Sequence, residues 1–259
     1  MDLGIAGRKA IVCASSKGLG RACAEALARA GCEVVINGRD AAALEKVAEE
    51  IRAASGAKIT PVAADVASPE GQAALLRACP APDILINNNA GPPFRDFREL
   101  TREDMIKGVI ANMITAIELI QKVIDPMCER KFGRILNITS GSVKLPLVGL
   151  DLSSGARAGL TAFLAGVARS VASSNVTING LLPGIFDTDR WRGGLRLRAQ
   201  KRGTSYEQER AEGIAVVPAK RVGDPAEFGA TAAFLCSVHA GYITGQNLLI
   251  DGGRYPGVL

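Results

Sequence analysis

The most constraining feature of this chain is a regular alternation between short apolar runs rich in β-branched residues and longer segments with helical periodicity. The apolar runs predict seven strands, at 8–13, 33–37, 58–65, 83–87, 133–139, 176–182 and 246–250. The segments between them predict helices over 18–30, 40–54, 101–129, 153–173 and 224–237. Strands that are apolar throughout, rather than at alternate positions, indicate a parallel sheet that is covered by helices on both faces.

This alternation continues without an internal repeat, a low-complexity stretch or a linker. It therefore predicts a single domain over residues 1–259, with a doubly wound, Rossmann-like α/β fold. Residues 187–217 depart from the pattern because they are long and polar, with six Lys and Arg and no acid between positions 190 and 202. Such an insertion after a strand is expected to form a lid over a ligand crevice, and a solvated helix with excess charge is the alternative.

Composition narrows the class of function. The 31 Lys and Arg against 26 Asp and Glu give a formal charge of +5, which slightly favours anionic small molecules but is too small to indicate nucleic-acid binding. Six scattered cysteines without a CxxC pair, together with one histidine, predict reduced core thiols and no metal site. Because the chain has neither a signal peptide nor a membrane-spanning apolar run, we expect a cytoplasmic protein with no membrane partner.

The loop between the first strand and the first helix has the composition of a phosphate-binding turn. A pair of glycines that opens a helix lets backbone N–H groups approach a phosphate, and the helix N-terminus favours its negative charge. The segment is Ala14-Ser15-Ser16-Lys17-Gly18-Leu19-Gly20. Taken alone, the same pattern also fits a merely tight turn.

Other motifs follow in order along the chain. They are Asp65 at the end of the third strand, followed by Val66, then Asn88-Asn89-Ala90-Gly91 after the fourth, Pro183-Gly184 with Thr188 after the sixth, and Asp251-Gly252-Gly253 near the end. Together with the glycine turn they resemble the short-chain dehydrogenase/reductase superfamily, in its single-domain branch, over nearly the whole chain. One departure is the start of the turn, where the family usually has Thr-Gly and this chain has Cys13-Ala14.

The resemblance implies a place for each motif around a dinucleotide. The Asn-Asn-Ala-Gly turn would pack beside the adenosine half, and Asp65, followed by Val66, would contact the adenine edge. Pro183, Gly184 and Thr188 would lie by the nicotinamide. An alanine at position 14 still lets the backbone pass closely, so we expect cofactor binding to survive that departure.

The charge at the end of the second strand indicates which dinucleotide binds. An acidic residue there would bind the ribose hydroxyls of NAD and repel a 2′-phosphate. This chain has Asn37-Gly38-Arg39 instead. Arg39 and Lys17 are both placed to pair with a phosphate dianion, so we expect NADP(H) as the cofactor. The alternative is that Arg39 simply begins the next helix.

The resemblance also implies a proton-handling set of Asn, Ser, Tyr and Lys, of which this chain matches half. Asn112 and Ser140 fit the first two members. Counting on from Ser140, the positions expected for Tyr and Lys hold Ser153 and Arg157. Their i, i+4 spacing keeps both side chains on one helix face, toward the crevice.

These replacements change the chemistry. An alkyl hydroxyl is a weaker acid than a phenol by about 7 kcal/mol per proton transferred, so Ser153 is expected to hydrogen-bond a carbonyl without protonating it. Arg157 stays charged and could hold the nicotinamide ribose or stabilise an oxyanion. The reaction then needs a non-standard proton donor, for which water, Lys144, Asp151 and Tyr206 are candidates.

Three functions stay open on the sequence alone. The favoured one is an NADP(H)-dependent oxidoreductase that reduces a carbonyl, or an activated C=C bond whose protonation at carbon needs no tyrosine. The alternatives are an NADP(H)-binding lyase, isomerase or dehydratase, and a nucleotide-binding regulatory protein without catalytic activity. The intact cofactor motifs favour the first, and the cations of the lid indicate a small, anionic molecule as substrate.

The helices predicted over 101–129 and 153–173 carry apolar residues on more than one face. On the first helix these residues are Ile106, Val109, Ile110, Met113, Ile117 and Ile120. Helices of this kind usually bury their second face against another subunit. We therefore expect a homotetramer or a homodimer, a pairing that the family resemblance also implies.

Overall fold

Seven strands form one parallel sheet in this structure, a computed structural model that describes residues 1–258. The strands are β1 (Lys9–Val12), β2 (Glu33–Gly38), β3 (Ile59–Ala63), β4 (Ile84–Asn87), β5 (Gly133–Ile138), β6 (Val176–Pro183) and β7 (Asn247–Ile250). Their order across the sheet is β3-β2-β1-β4-β5-β6-β7. The winding reverses between β1 and β4, so the crevice beyond the carboxyl ends of these two strands is where such a sheet binds a ligand.

Helices cover both faces of this sheet. Among the described residues they are α1 (Gly18–Arg29), α2 (Ala41–Ser55), α3 (Pro69–Ala78), α4 (Arg102–Val109), α5 (Thr115–Glu129), α6 (Asp151–Val171), α7 (Asp189–Arg202), α8 (Tyr206–Ala215) and α9 (Pro225–Leu235). One hydrophobic core includes Leu27 of α1 and Phe228 of α9. The other, on the opposite face, includes Leu75 of α3, Leu119 of α5 and Leu160 of α6.

The strands between these layers supply side chains to both cores. Val34 and Ile36 of β2 belong to the core with α1 and α9, whereas Val35 between them belongs to the core with α3 and α5. Because successive residues of a strand point to opposite sides, a strand between two helical layers is apolar at every position. The predicted Rossmann-like parallel sheet with helices on both faces is confirmed.

One helix, α3, was not predicted from the sequence. It begins after Ser68, whose hydroxyl oxygen accepts a hydrogen bond from the Gly71 N–H at 3.0 Å. Pro69 occupies its first turn. A serine at the N-cap and a proline at the first helical position are both recognised start signals, so the chain did contain the information.

The helix predicted over 101–129 is interrupted in the structure. One turn of π-helix, Ile110–Ile114, joins α4 to α5, and in it the Thr115 hydroxyl donates a hydrogen bond to the Ile110 carbonyl oxygen at 2.9 Å. Such turns hold one residue more than an α-helical turn and are frequent at functional sites. The polar segment predicted as a lid over 187–217 forms two helices, α7 and α8.

Two further expectations concern the whole chain. The predicted domain ends at residue 259, which lies outside the described residues. Within residues 1–258, no helix combines the length and the apolar character that crossing a bilayer requires. Over the same residues, no group of three or more His, Cys, Asp and Glu side chains is arranged so that it could hold a metal ion.

Candidate active site

The glycine turn between β1 and α1 is held in shape by two buried polar side chains. The Ser15 hydroxyl donates a hydrogen bond to the Val12 carbonyl oxygen at 2.7 Å and accepts one from the Asn37 N–H at 2.9 Å. The Asn37 side-chain oxygen accepts a hydrogen bond from the Ala14 N–H at 3.1 Å, and Ala14 has a φ of +45°. Ser15 and Asn37 therefore shape the turn through their side chains.

Gly20 allows α1 to begin close to the end of β4. A Cβ at position 20 would lie 2.8 Å from the Asn88 amide nitrogen and closer still to the Ala14 carbonyl oxygen. The Asn88 amide donates a hydrogen bond to that carbonyl at 3.2 Å. Close packing therefore requires a glycine at position 20. Gly18 has a φ of +60°, a conformation that favours glycine. Leu19, between the two glycines, packs against the core that contains α1 and α9.

The mouth of the turn carries two exposed cations, Lys17 and Arg39. Neither side chain makes a hydrogen bond or an ion pair within residues 1–258. Ser16 is half-buried between them and β2, Asp65 is exposed, and Val66 is buried. An open turn of backbone N–H groups with two unpaired cations at its mouth fits a dinucleotide that carries a 2′-phosphate.

The turn after β4 connects the glycine turn to the π-helical turn. The Asn89 side-chain nitrogen donates a hydrogen bond to the Ala111 carbonyl oxygen at 3.2 Å, and its side-chain oxygen accepts one from the Ala90 N–H at 2.8 Å. Asn88, the preceding residue, is bonded to the glycine turn as described above. The segment from Asn88 to Gly91 therefore links the predicted cofactor groove to the π-helical turn.

Pro183, Gly184 and Thr188 bring the end of β6 close to the glycine turn. A Cβ on Gly184 would lie 2.5 Å from the Cβ of Asp251, so the two motifs of the chain pack directly on each other. A Cβ on Gly18 would lie 3.7 Å from Cγ2 of Thr188. The predicted phosphate-binding turn and the predicted nicotinamide turn thus meet across a narrow gap.

Three buried asparagines connect β4, β5 and β6 within the sheet. The Asn87 side-chain nitrogen donates to the Asn137 side-chain oxygen at 2.9 Å, and the Asn137 nitrogen donates to the Asn179 carbonyl oxygen at 3.3 Å. The Asn179 nitrogen donates to the Ile243 carbonyl oxygen at 2.8 Å. The sequence analysis missed this network, although an amide that interrupts each apolar strand was a signal for it.

Ser153 and Arg157 share one face of α6, as their spacing predicts. The Arg157 Nε donates a hydrogen bond to the Ser153 hydroxyl oxygen at 3.2 Å. Its Nη1 donates to the carbonyl oxygens of Ile138 at 2.9 Å and Thr139 at 3.0 Å. Arg157 is only 8% exposed, and burial, with a smaller contribution from the charge of Arg190, lowers its pKa to about 10. At neutral pH the end of β5 therefore holds a fixed, buried cation.

Ser140 and Asn112 lie on elements that contact α6. The Ser140 hydroxyl oxygen accepts hydrogen bonds from the Ser142 N–H at 3.1 Å and from the Ser142 hydroxyl at 2.9 Å. Asn112 is buried in the π-helical turn, where its side-chain nitrogen donates to the Gly108 carbonyl oxygen at 3.1 Å. Its side-chain oxygen has no hydrogen-bond partner among the described residues, so it can accept a hydrogen bond from a ligand or a water molecule.

A cavity of about 230 Å³ adjoins Asn112 and the beginning of α6. Its walls come from the turn after β4, from α4 and the π-helical turn, and from the beginning of α6. Asn112 and Ser153 both line it, and so do Gly91 and Lys107. A concave space of this size, bordered by a few polar groups, is suited to a small molecule.

Arg190, one of the cations of the predicted lid, reaches across to the opposite wall of the site. Its Nη1 donates a hydrogen bond to the Gly91 carbonyl oxygen at 3.3 Å, and its Nη2 donates to the Pro92 carbonyl oxygen at 3.2 Å. Burial lowers the pKa of Arg190. This contact could not be predicted from the sequence, because 99 positions separate Arg190 from Gly91 and no local pattern distinguishes it from the other lid cations.

The residues considered as proton donors lie at different places around the site. Asp151 is the exposed first residue of α6, Tyr206 is the first residue of α8, and Lys144 follows a short 3-10 turn after β5. Within residues 1–258, the hydrogen bond of the Ser153 hydroxyl is the one that it accepts from Arg157. The identity of the donor stays a prediction.

The chain matches the family model described as Enoyl-(Acyl carrier protein) reductase over residues 13–254. It is 32% identical over 256 residues to the NADPH-dependent reductase BacG of Bacillus subtilis, covering 97% of this chain and 99% of that protein. It is 31% identical over 257 residues to the 3-oxoacyl-(acyl-carrier-protein) reductase FabG of Vibrio cholerae, covering 98% and 99%. The crystal structure of L-sorbose reductase from Gluconobacter frateurii, complexed with NADPH and L-sorbose, matches with a TM-score of 0.94 at 28% identity and covers 100% of both chains.

Proposed function

This chain belongs to the short-chain dehydrogenase/reductase superfamily, and we propose that it is an NADP(H)-dependent oxidoreductase that reduces a carbonyl group or an activated C=C bond of a small molecule. One observation carries the proposal. A single segment, Asn88 to Gly91, joins a phosphate-binding turn with two unpaired cations to the buried pair of Ser153 and Arg157. The Bacillus relative is described as NADPH-dependent and the Gluconobacter enzyme was solved with NADPH, which supports the choice of cofactor.

The proposed cofactor groove runs from the glycine turn to the end of β6. Lys17 and Arg39 would pair with the 2′-phosphate, and the backbone N–H groups of the glycine turn would bind the pyrophosphate. Asp65 would contact the adenine edge, and Thr188 would contact the nicotinamide. When bound, the cofactor supplies a hydride.

At the reaction centre the described residues offer hydrogen bonds and a positive charge, and the Ser153 hydroxyl is hydrogen-bonded to Arg157 rather than to a phenol. The Ser153 and Ser140 hydroxyls would orient the substrate oxygen, and the Arg157 guanidinium would stabilise negative charge that develops on it. The unpaired oxygen of Asn112 would hold a water molecule or a substrate hydroxyl. Because an alkyl hydroxyl is about 7 kcal/mol less acidic than a phenol, we propose that the proton comes from a donor other than Ser153.

Titration with the reduced dinucleotides tests the cofactor half of the proposal. NADPH is expected to bind to the purified protein and to quench its tryptophan fluorescence at lower concentrations than NADH does. Binding of NADH that equals that of NADPH would contradict the role of Lys17 and Arg39. A protein that binds neither dinucleotide is not an oxidoreductase of this kind.

A substrate screen tests the chemical half. Ketones, oxo acids and enones are offered with NADPH, and the loss of nicotinamide absorbance at about 340 nm is followed. Consumption with one class identifies the reducible group. If NADPH binds but no class consumes it, the lyase, isomerase or regulatory function would replace reduction.

Restoring the family residues provides a second test of the reaction centre. In the double variant Ser153→Tyr with Arg157→Lys, we expect ketone reduction to rise, because a phenol beside a cation is a competent acid. The matched control is Arg157→Lys alone, which keeps the charge but supplies no acid. Equal rates in the double variant and the control would indicate that the missing phenol does not limit the reaction.

We also propose that the protein is a homodimer or homotetramer that pairs through α4, α5 and α6. Ile106 is 50% exposed and Phe163 of α6 is 48% exposed, which is unusual for large apolar side chains. Ile120, one of the apolar residues on which the predicted second face was based, is buried in the core of the subunit. Light scattering at micromolar concentration is expected to give at least twice the mass of one chain, and the mass of one chain would refute the proposal.

A further inference from the structure

Two arginines are deeply buried in this protein, and they differ in how their nitrogens are used. Arg134, 2% exposed, donates from Nε, Nη1 and Nη2 to the carbonyl oxygens of Ser237, Gly133 and Asn175 and to the Asn175 side chain. Arg157 donates from Nε and Nη1, whereas its Nη2 makes no hydrogen bond within residues 1–258. Arg134 therefore uses all three of its nitrogens within the fold, in four hydrogen bonds, whereas Arg157 makes three and leaves both N–H groups of Nη2 unused.

The unused nitrogen of Arg157 lies beside a second guanidinium. A Cβ at Gly91 would lie 3.4 Å from Nη2 of Arg157 and 3.1 Å from both terminal nitrogens of Arg190, so the two cations converge on one point. Burial lowers the pKa of Arg157 most, and repulsion by the positive charge of Arg190 lowers it further. Arg190 is an exposed cation beside the buried Arg157, and no acidic side chain pairs with either one within residues 1–258, so an anion bound between them would offset both charges.

The acids nearest to Arg190 in the chain do not neutralise it. Asp187 and Asp189 both form ion pairs with Arg192, the second of these at 2.9 Å. Arg190 instead donates to two backbone carbonyls at 3.3 and 3.2 Å. These distances exceed the usual 2.7–2.9 Å of a charge-assisted hydrogen bond, so a carboxylate would be a better acceptor than either carbonyl.

The convergence point borders the cavity described above. Gly91 and Pro92, which accept the hydrogen bonds of Arg190, both line it, and so does Ser153, which accepts the hydrogen bond of Arg157. The two arginines do not line the cavity themselves, so an anionic group between them would belong to a molecule that extends from the cavity past Gly91. The cations that suit the cofactor phosphate, Lys17 and Arg39, lie at the other turn.

We propose that Arg157 and Arg190 together bind a carboxylate of the substrate, so that the molecule reduced is a short carboxylic acid whose oxo group or activated double bond lies against Ser153. This inference rests on the proposed function and narrows it to a class of substrate. A planar carboxylate suits two guanidinium groups, because each guanidinium presents N–H groups in one plane.

Calorimetry with the oxidised cofactor tests the inference without turnover. The protein is first titrated with NADP+ and then, saturated with it, with pyruvate, 2-oxobutyrate and 2-oxoglutarate, and with methyl pyruvate as the uncharged counterpart. We expect at least one acid to bind, and pyruvate to bind at least tenfold more tightly than its methyl ester. Arg190→Gln should weaken binding of the acid by tenfold or more and leave the ester and NADP+ within twofold.

Two variants serve as controls for Arg190→Gln. Arg190→Lys keeps the charge without the planar group and should retain part of the affinity for the acid. Arg196→Gln removes an exposed cation of the same helix and should leave every affinity unchanged. Far-ultraviolet circular dichroism of the three variants shows whether α7 is still folded.

The possible failures are distinguishable. If NADP+ itself does not bind, the proposed function fails and the inference fails with it. If NADP+ binds but no acid does, or if acid and ester bind alike, the inference is overturned and the proposed function stands. A loss of NADP+ affinity of tenfold or more in Arg190→Gln would assign the two arginines to the cofactor and would also overturn the inference.

Discussion

At the phosphate-binding end of the site, small and amide side chains shape the backbone, whereas at the other end two arginines place their charges directly. Ser15, Asn37 and Gly20 fix the course of the chain through hydrogen bonds and close packing. Arg157 and Arg190 reach the site on long side chains from two different helices. The first end therefore depends on local backbone geometry, and the second depends on which distant elements the fold brings together.

The largest expected effect comes from breaking the backbone geometry. Gly20→Val places atoms against the Ala14 carbonyl and the Asn88 amide, so we expect the free energy of unfolding to fall by about 3 kcal/mol and NADPH binding to be lost. Thermal unfolding and fluorescence titration measure the two effects. Gly155→Ala is the matched control, because nothing lies within 4 Å of a Cβ there, and it should stabilise α6 by about 0.5–1 kcal/mol.

The second largest effect is expected for Arg39, and it tests whether the charge of this side chain contributes to NADPH binding independently of the shape of the glycine turn. Arg39→Ala removes an exposed cation without touching the turn, so NADPH affinity should fall by about 10- to 100-fold while NADH affinity stays constant. Parallel fluorescence titrations measure both constants. Arg169→Ala, an exposed arginine of α6 without an ion pair among the described residues, should change neither. Equal losses for the two dinucleotides would mean that Arg39 supports the turn itself.

A pH series examines the end that depends on charge. Burial lowers the pKa of Arg157 to about 10 from its ordinary 12.5, so its cation is fully present at neutral pH and is lost as the pH rises through about 10. Binding of an oxo acid should thus be constant from about pH 7 to about 9 and about fourfold weaker at about pH 10.5. Calorimetry with the methyl ester at each pH is the control. An affinity that is unchanged at high pH would exclude Arg157 from anion binding.

The lowered pKa of Arg157 also affects the stability of the fold, which should rise at high pH where binding of the acid falls. A buried cation whose folded pKa is lowered destabilises the folded state wherever it is charged in that state. That cost is present below about pH 10 and disappears as the pH rises toward 12.5. Arg157→Met should accordingly reduce substrate binding without a matching loss of thermal stability, since it removes three hydrogen bonds and a poorly solvated charge together.

The smallest expected effect concerns the negative charge of Asp40 at the phosphate-binding end. Asp40 follows Arg39 and caps α2 by accepting a hydrogen bond from the Ala43 N–H at 3.1 Å. Asp40→Asn keeps a capping side chain and removes one negative charge, so NADPH affinity should rise about twofold, within the range of exposed charge pairs. Asp40→Ala loses the cap and should cost about 1 kcal/mol of stability in thermal unfolding. A decrease in NADPH affinity for Asp40→Asn would contradict this assignment of charge.

The sequence predicted best what depends on local pattern. Every strand of the sheet and the position of the glycine turn follow from apolar runs and glycine spacing, because both are set by interactions between neighbours in the chain. α3 was not predicted although Ser68 and Pro69 are helix start signals, because the helix has only ten residues and so a short apolar pattern. Arg190 and the asparagine network were missed for another reason: their partners are brought together only by the fold.

The π-helical turn Ile110–Ile114 has a consequence for how this protein can change over generations. One residue of an α-helix corresponds to about 100° of rotation around the axis, so the extra residue sets the angular phase of α4 relative to α5. Deleting one residue there would regularise the helix and swing Lys107 and Gly108 away from the cavity wall that they now form. Deletion of one residue, which hardly changes the composition or the hydropathy of the sequence, is therefore enough to remove this wall of the cavity while the sheet stays intact.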